Sequence, residues 1–208
     1  IETSGIDPAE IIGVACSGHG NGLYLVDENA QPVYNAIGSA DGRAREYIDQ
    51  WAADGTGERI RPKTMQAIWP AQPNALLRWF MDNDAETLSK AKWVLMCKDF
   101  IRAQLTGEVY MELSDMSATS LMNVETADYD DEVLEAWGLE SLKDMMPPLK
   151  FAGDLCGKIT AAAAEATGLA EGTPVAGGMF DIDACGLASG LVDDDAISMV
   201  GGSWGNNP

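Results

Sequence analysis

IIGVACSGHGNGLYLVDENAQPVYNAI, residues 11–37, sets two short apolar runs on either side of a glycine loop that holds the chain's only histidine, His19. Both "IIGVACS" and "GLYLV" are rich in β-branched and aliphatic residues, and the second runs into the turn cluster DENAQP before VYNAI resumes the apolar pattern. The stretch reads as a strand, a glycine loop and then a hairpin. Glycines on both sides of His19 allow a small polar molecule to approach the backbone, with the imidazole and the Asn21 amide offering donors and acceptors. The competing reading is a hydrogen-bonded loop histidine with no ligand. A dinucleotide site is excluded, because G-x-G-x-x-G must open a helix and here a strand follows.

Downstream, DGRAREYIDQWAA (residues 41–53) places Ala44, Tyr47, Ile48 and Trp51 at helical spacing. QPNALLRWFMDND (72–84) repeats the pattern with Pro73 near its start, where a missing N–H costs little. KWVLMCK (92–98) reads as a strand or a buried helix. DFIRAQLTG follows as a helix with Asp99 at its N-cap and Gly107 as its stop. DDEVLEAWGL (130–139) predicts one more short helix. After Pro147-Pro148 come an alanine-rich helix, a glycine turn and a strand over 174–178, then a helix in DIDACGLASGL and a charged turn leading into a strand in DDDAISMVGGS. Alternating helices and strands make the class α/β. The acidic clusters at 130–132 and 193–195 read as solvated turns.

Composition narrows the function. A chain of 208 residues, 46% hydrophobic with six Trp and four Phe, buries a sizeable core as one large domain or two small ones. Its formal charge of −20 repels phosphate backbones and anionic membranes, so the expected ligand is small and locally recognised, with neither nucleic acid nor membrane as partner. No apolar run approaches the ~20 residues needed to cross a bilayer, and no charged-then-apolar leader opens the chain. Cys16, Cys97, Cys156 and Cys185 stand far apart without CxxC spacing, which predicts free thiols, a reducing cytoplasm and no structural metal site. One histidine and no clustered cysteines supply neither a zinc hydrolase nor a Cys–His pair, and no P-loop motif is present. The chain opens on Ile1 rather than Met and stops on GNNP just after a strand-like run, so a piece of a longer protein is expected.

Two later segments are further candidates. In GGMFDIDACGLASG (177–190), Asp181 falls at the N-cap or first turn of a helix just past a strand end, where the helix dipole stabilises a carboxylate and open α/β sheets place ligands. A plain helix cap is the alternative. Asp183 lies two residues on, about 200 degrees around a helix, so the two carboxylates are not expected to share one cleft. In MVGGSWGNN, Gly201, Gly202 and Ser203 offer a nest of N–H groups for phosphate.

Taken in order, these segments resemble the FGGY carbohydrate kinases over nearly the whole chain. Residues 11–44 are similar to the family's strand, sugar-contacting loop and hairpin, ending in the Asp-x-Arg-like Asp41-Gly42-Arg43. KDFIRAQLTGE (98–108) matches a family run, TPVAGGMFDIDACGLASGLV (173–192) matches the segment carrying the catalytic aspartate, and GGSWG (201–205) a phosphate-contacting turn with Ser203 in the place of Thr. The resemblance implies an actin-like ribonuclease H fold, with residues 1–208 forming most of a sugar-binding domain. The family's first phosphate hairpin would then lie before Ile1 and its ATP-binding domain after Pro208. It implies ATP with magnesium, a small sugar or polyol substrate, Asp181 as catalytic base, and sugar contacts from His19, Asn21, Asp41 and Trp69, where a core Trp69 is the alternative. The nucleotide phosphate would meet Gly201, Gly202 and Ser203, and a homodimer is compatible with all of this. GHGNGLYLVD and GSADGRA look most like members acting on L-xylulose and erythritol. Ser39 and Gly20-Asn21 depart from the pattern of D-xylulose and glycerol enzymes. A non-catalytic sugar-binding module with the same half-fold is the rival reading.

Overall fold

The computed structural model describes residues 1, 3–193, 195–197, 199–201, 205 and 206, with backbone alone at 200, 201, 205 and 206. β1 (Ser17–Gly18) and β2 (Tyr24–Val26) flank the glycine loop, and four helices follow: α1 (Arg45–Ala53), α2 (Thr56–Thr64), α3 (Pro73–Asn83) and α4 (Ala85–Leu88). β3 (Trp93–Leu95) leads into α5 (Cys97–Thr106), β4 (Met111–Glu112), α6 (Leu113–Ser117), β5 (Met122–Asn123), β6 (Asp128–Tyr129) and α7 (Asp131–Trp137). The last third holds β7 (Leu149–Lys150), β8 (Leu155–Lys158), α8 (Ala161–Thr167), β9 (Pro174–Ala176), β10 (Met179–Phe180), α9 (Asp181–Ala188), β11 (Val200–Gly201) and β12 (Gly205–Asn206).

Pairing across the chain is what matters for the site. β1 runs parallel to β10, with Ser17 opposite Met179 and Gly18 opposite Phe180, and Val14 bridges Val175 in the same sense. β8 lines the other side of β9, antiparallel. The strand expected over 11–17 is thus reduced to one bridge and a two-residue ladder, and Ile12 is 91% exposed. The strand expected over 174–178 stops at Ala176, because Gly177 and Gly178 bend the chain into β10. Only glycine fits there: a Cβ on Gly177 would lie 2.4 Å from the Phe151 carbonyl oxygen, and one on Gly178, at φ +81°, 2.1 Å from that of Cys16.

Around this seam the core closes by local rules. β2 pairs antiparallel with β3, which resolves KWVLMCK as a strand whose Val94 and Leu95 are both fully buried. The hairpin after β2 closes through Leu23 opposite Ile37, and Asp27 Oδ1 accepts from the Asn29 and Gln31 amides. α3 starts on Pro73 and buries Ala75, Leu76, Leu77 and Phe80, each large side chain contributing about 1.5–3 kcal/mol. α7 buries Val133, Leu134 and Trp137, and the Trp51 and Trp137 rings meet at 4.7 Å. α2 escapes the periodicity reading because only Ile60 and Thr64 of its nine residues are buried.

Two expectations are corrected. Asp130 is no solvated turn residue: it caps α7, accepting from the Glu132 and Val133 amides, and pairs with Lys63 Nζ at 2.8 Å, which holds its carboxyl down at about 2. Asp99 does not cap α5. That helix begins two residues earlier, at Cys97 behind Met96, and Asp99 is buried in its first turn, while Gly107 ends the helix at φ +73° as expected. Asp193 and Asp195 are exposed. The four cysteines are free thiols, and among the described residues no helix is long and apolar enough to cross a membrane.

Candidate functional site

Because β1 and β10 are parallel with Gly18 opposite Phe180, the next residue on each chain, His19 and Asp181, emerges from the same end of the pair. That is where α/β folds place ligands. The loop lies close over its neighbour: a Cβ on Gly20 would sit 2.5 Å from the Phe180 ring and 2.9 Å from Asp115 Oδ1, so a side chain there would have to displace the ring.

Asn21 takes φ +60°, a left-handed conformation that asparagine tolerates. It is buried, and its side-chain oxygen has no hydrogen-bond partner among the described residues. An acceptor left in that state costs about 1–3 kcal/mol unless something donates to it. His19 is differently placed. Its Nε2 lies 3.1 Å from the Tyr24 hydroxyl and its Nδ1 3.3 Å from the Gly20 carbonyl oxygen, a pattern satisfied with the proton on Nδ1 and Tyr24 donating. Burial, then a hydrogen bond with Cys97 and the charges of Cys97 and Asp115, push the Tyr24 phenol upward, so it keeps its proton.

The loop is held by the other expected segments. Gly22 N donates to the Ala71 carbonyl at 2.8 Å, and Gln72 Oε1 in turn accepts from the Trp69 amide at 3.2 Å. Trp69 is half-buried, neither a core residue nor a fully exposed one. A Cβ on Gly22 would lie 2.1 Å from the Ile37 carbonyl oxygen, so the turn that starts at Gly38 adjoins the loop, and the Asp41 amide donates to the Gly38 carbonyl. The Asp41 carboxylate itself is engaged by Arg43, Nε to Oδ1 at 2.9 Å and Nη2 to Oδ2 at 3.0 Å. Partial burial works to raise the Asp41 carboxyl, and the Arg43 bonds outweigh it and hold it low. The Arg43 guanidinium is 5.0 Å from the centre of the Trp79 ring.

Asp181 is the first residue of α9, half-buried, behind Phe180 at the cap position. Asp183 is also half-buried. Burial, then the charge of Glu112 and that of Asp181, push its carboxyl up. Gly201 lies opposite Gly205 in the β11–β12 pair, whereas Gly202 and Ser203 fall outside the described residues. Among the described residues no group of three or more His, Cys, Asp or Glu could hold a metal ion.

Beneath the site lies a buried ion cluster. Lys98 Nζ reaches Asp99 Oδ1 at 3.1 Å, Glu112 Oε2 at 3.1 Å and Asp115 Oδ2 at 3.2 Å, and Arg102 Nη1 reaches Asp99 Oδ1 at 2.7 Å. All five side chains are 0–2% exposed. Sequence reasoning passed over this cluster except as a family run. The available signal was Lys98, Asp99 and Arg102 in an otherwise apolar segment.

Residues 1–187 match the sequence model of the N-terminal domain of the FGGY family of carbohydrate kinases. The chain belongs to that family. It is 37% identical over 201 residues to an L-xylulose/3-keto-L-gulonate kinase of Escherichia coli K12, covering 97% of this chain and 40% of that protein. It is 32% identical over 178 residues to an erythritol kinase of Brucella abortus, covering 86% of this chain and 34% of that protein. The FGGY chain described here therefore spans less than half the length of either relative. Its fold superposes on a ligand-bound xylulose kinase from Lactobacillus acidophilus with a TM-score of 0.86 at 21% identity, over 95% of this chain and 40% of that one. The expected actin-like α/β fold of a sugar-kinase N-terminal domain is the fold observed.

Proposed function

We propose that residues 1–208 form most of the sugar-binding domain of an ATP-dependent FGGY kinase acting on a small ketopentose such as L-xylulose, or on an erythritol-like polyol. Asp181 is its general base. The observation that carries this reading is the register of β1 on β10, which delivers the His19–Asn21 loop and Asp181 to the same end of one strand pair. The unpartnered Asn21 oxygen supports a hydroxyl donor in the loop, since a polyol supplies what the buried amide lacks. His19 then acts first by bracing the loop through Tyr24. The Trp69 and Asp41 segments, both adjoining the loop, line the sugar's surroundings.

Bound ATP with its magnesium supplies the phosphoryl group. Gly201, opposite Gly205 with no Cβ on either, suits close approach of phosphate to backbone, and Gly202 and Ser203 continue that segment in sequence. Phosphoryl transfer passes through a loose transition state, so placement and electrostatics are what the chain contributes. Asp181 takes the proton from the attacking hydroxyl as the new O–P bond forms and the bond from the γ-phosphorus to the bridging oxygen of the departing ADP breaks, and the loop keeps that hydroxyl oriented.

The test is a panel of tetritols and ketopentoses with magnesium-ATP and the full-length protein, read as sugar-dependent ADP release. Turnover on L-xylulose or erythritol supports the reading. No turnover on any sugar, with a sugar still protecting the fold against heat, would move the chain to a non-catalytic sugar-binding module.

A further inference from the structure

We propose that Ser114 is a positioning residue for Asp181, and that the buried ion cluster to which it is tied holds the turn that carries the base. The inference rests on the reading of Asp181 given above. Ser114 Oγ donates to Glu112 Oε2 at 2.6 Å and accepts from the Phe180 amide at 2.9 Å. Its single proton is committed to the carboxylate, so a lone pair faces the Phe180 N–H. Phe180 is the cap residue of α9, and the next residue is Asp181. At the other end of the same turn, Arg102 Nη1 donates to the Gly177 carbonyl at 2.7 Å while pairing with Asp99. Gly177 and Phe180 are thus held from one cluster; between them the Gly177, Gly178 and Met179 amides donate to the Asp154, Ala152 and Cys16 carbonyls, and the Phe180 amide is the one whose acceptor is Ser114.

The cluster is otherwise hard to account for. Burying Lys98, Asp99, Arg102, Glu112 and Asp115 carries a desolvation cost that apolar side chains of similar volume avoid, so net stability is a poor reason for it. Directional grip on two backbone groups is something apolar side chains do not provide. Glu112 is the hinge of the arrangement: its Oε2 takes the Ser114 hydroxyl and Lys98 Nζ, and its Oε1 takes the Ser114 amide at 2.9 Å, which sets the hydroxyl's direction.

Ser114→Ala leaves the Phe180 N–H without its acceptor and releases the turn. Misplacement of a catalytic group by about 1 Å costs on the order of 10²-fold. In the full-length kinase, Ser114→Ala should lower kcat by roughly 10- to 100-fold, leave the sugar KM within about threefold, and speed hydrogen exchange at the Phe180 amide. Ser114→Thr, which keeps the hydroxyl, should restore both. A wild-type kcat or unchanged Phe180 exchange in Ser114→Ala would overturn the proposal, and so would a Thr variant as impaired as the Ala one. If wild-type protein phosphorylates none of the sugars, it is the kinase reading that fails. Exchange at Phe180 in the same samples still decides whether Ser114 holds the turn.

Discussion

Replacing Asp115 with asparagine probes the electrostatics beneath the site. Burial pushes this carboxyl up, Lys98 at 3.2 Å opposes the shift, Asp99 and Glu112 add to it, and the outcome is about 8 against an ordinary 3.8. Among the described residues, neither Asp115 oxygen receives a well-aligned hydrogen bond. At neutral pH the folded chain therefore holds a proton on Asp115 that the unfolded chain has lost. Between about pH 4 and 8 the folded state binds the extra proton, so this group's contribution falls as pH rises, by about 1.4 kcal/mol per unit. It is fully present below the ordinary carboxyl value and lost as pH climbs through about 8. Asparagine does not titrate. The stability of Asp115→Asn relative to wild type should therefore improve by about 2.5 kcal/mol on going from about pH 5.5 to about pH 7.5. Lys98, Asp99, Glu112, Tyr24 and Cys97 surround Asp115, and burial pushes the Asp99 carboxyl up as well, so the sign of the difference between the two proteins is what the test reads. Urea unfolding followed by tryptophan fluorescence at three pH values measures it. Parallel stability–pH curves for the two proteins would refute the argument and mean that Asp115 is ionised in the fold.

In the full-length kinase, Asp181→Asn should lower kcat by at least ~10², with a smaller change in sugar KM, while Asp183→Asn stays within about tenfold of wild type; the reverse order in steady-state assays would move the base to Asp183. Asn21→Gly keeps the left-handed backbone and removes only the amide, so sugar KM should rise roughly 5- to 150-fold with the ATP KM unchanged, as read by a coupled ADP assay. Gly20→Ala puts a methyl 2.5 Å from the Phe180 ring and should destabilise the chain by roughly 1–3 kcal/mol, seen as a lower thermal midpoint.

What the sequence made legible follows the range over which each signal acts. Pro73 at the start of α3 and Gly107 after α5 act within one helical turn, and both ends are where local chemistry puts them. Asp99 was misplaced because a polar residue before an apolar run looks like a cap, whereas its real partners, Lys98 and Arg102 beside it and the Glu112 amide, form a buried cluster that no local pattern announces. The site divides in the same way. The loop of His19 and Asn21 and the turn of Asp181 were each readable alone, but the two-residue strands that join them, some 160 positions apart, carry no periodicity to detect. Their adjacency comes from two glycines at 177 and 178 that let one backbone lie against Cys16 and Phe151. The same close approach leaves no room for side chains at 177 and 178, so this part of the turn is held through its backbone. The Gly177, Gly178 and Met179 amides donate to the Asp154, Ala152 and Cys16 carbonyls, and the proposed grip of the ion cluster adds Arg102 on the Gly177 carbonyl and Ser114, under Glu112, on the Phe180 amide.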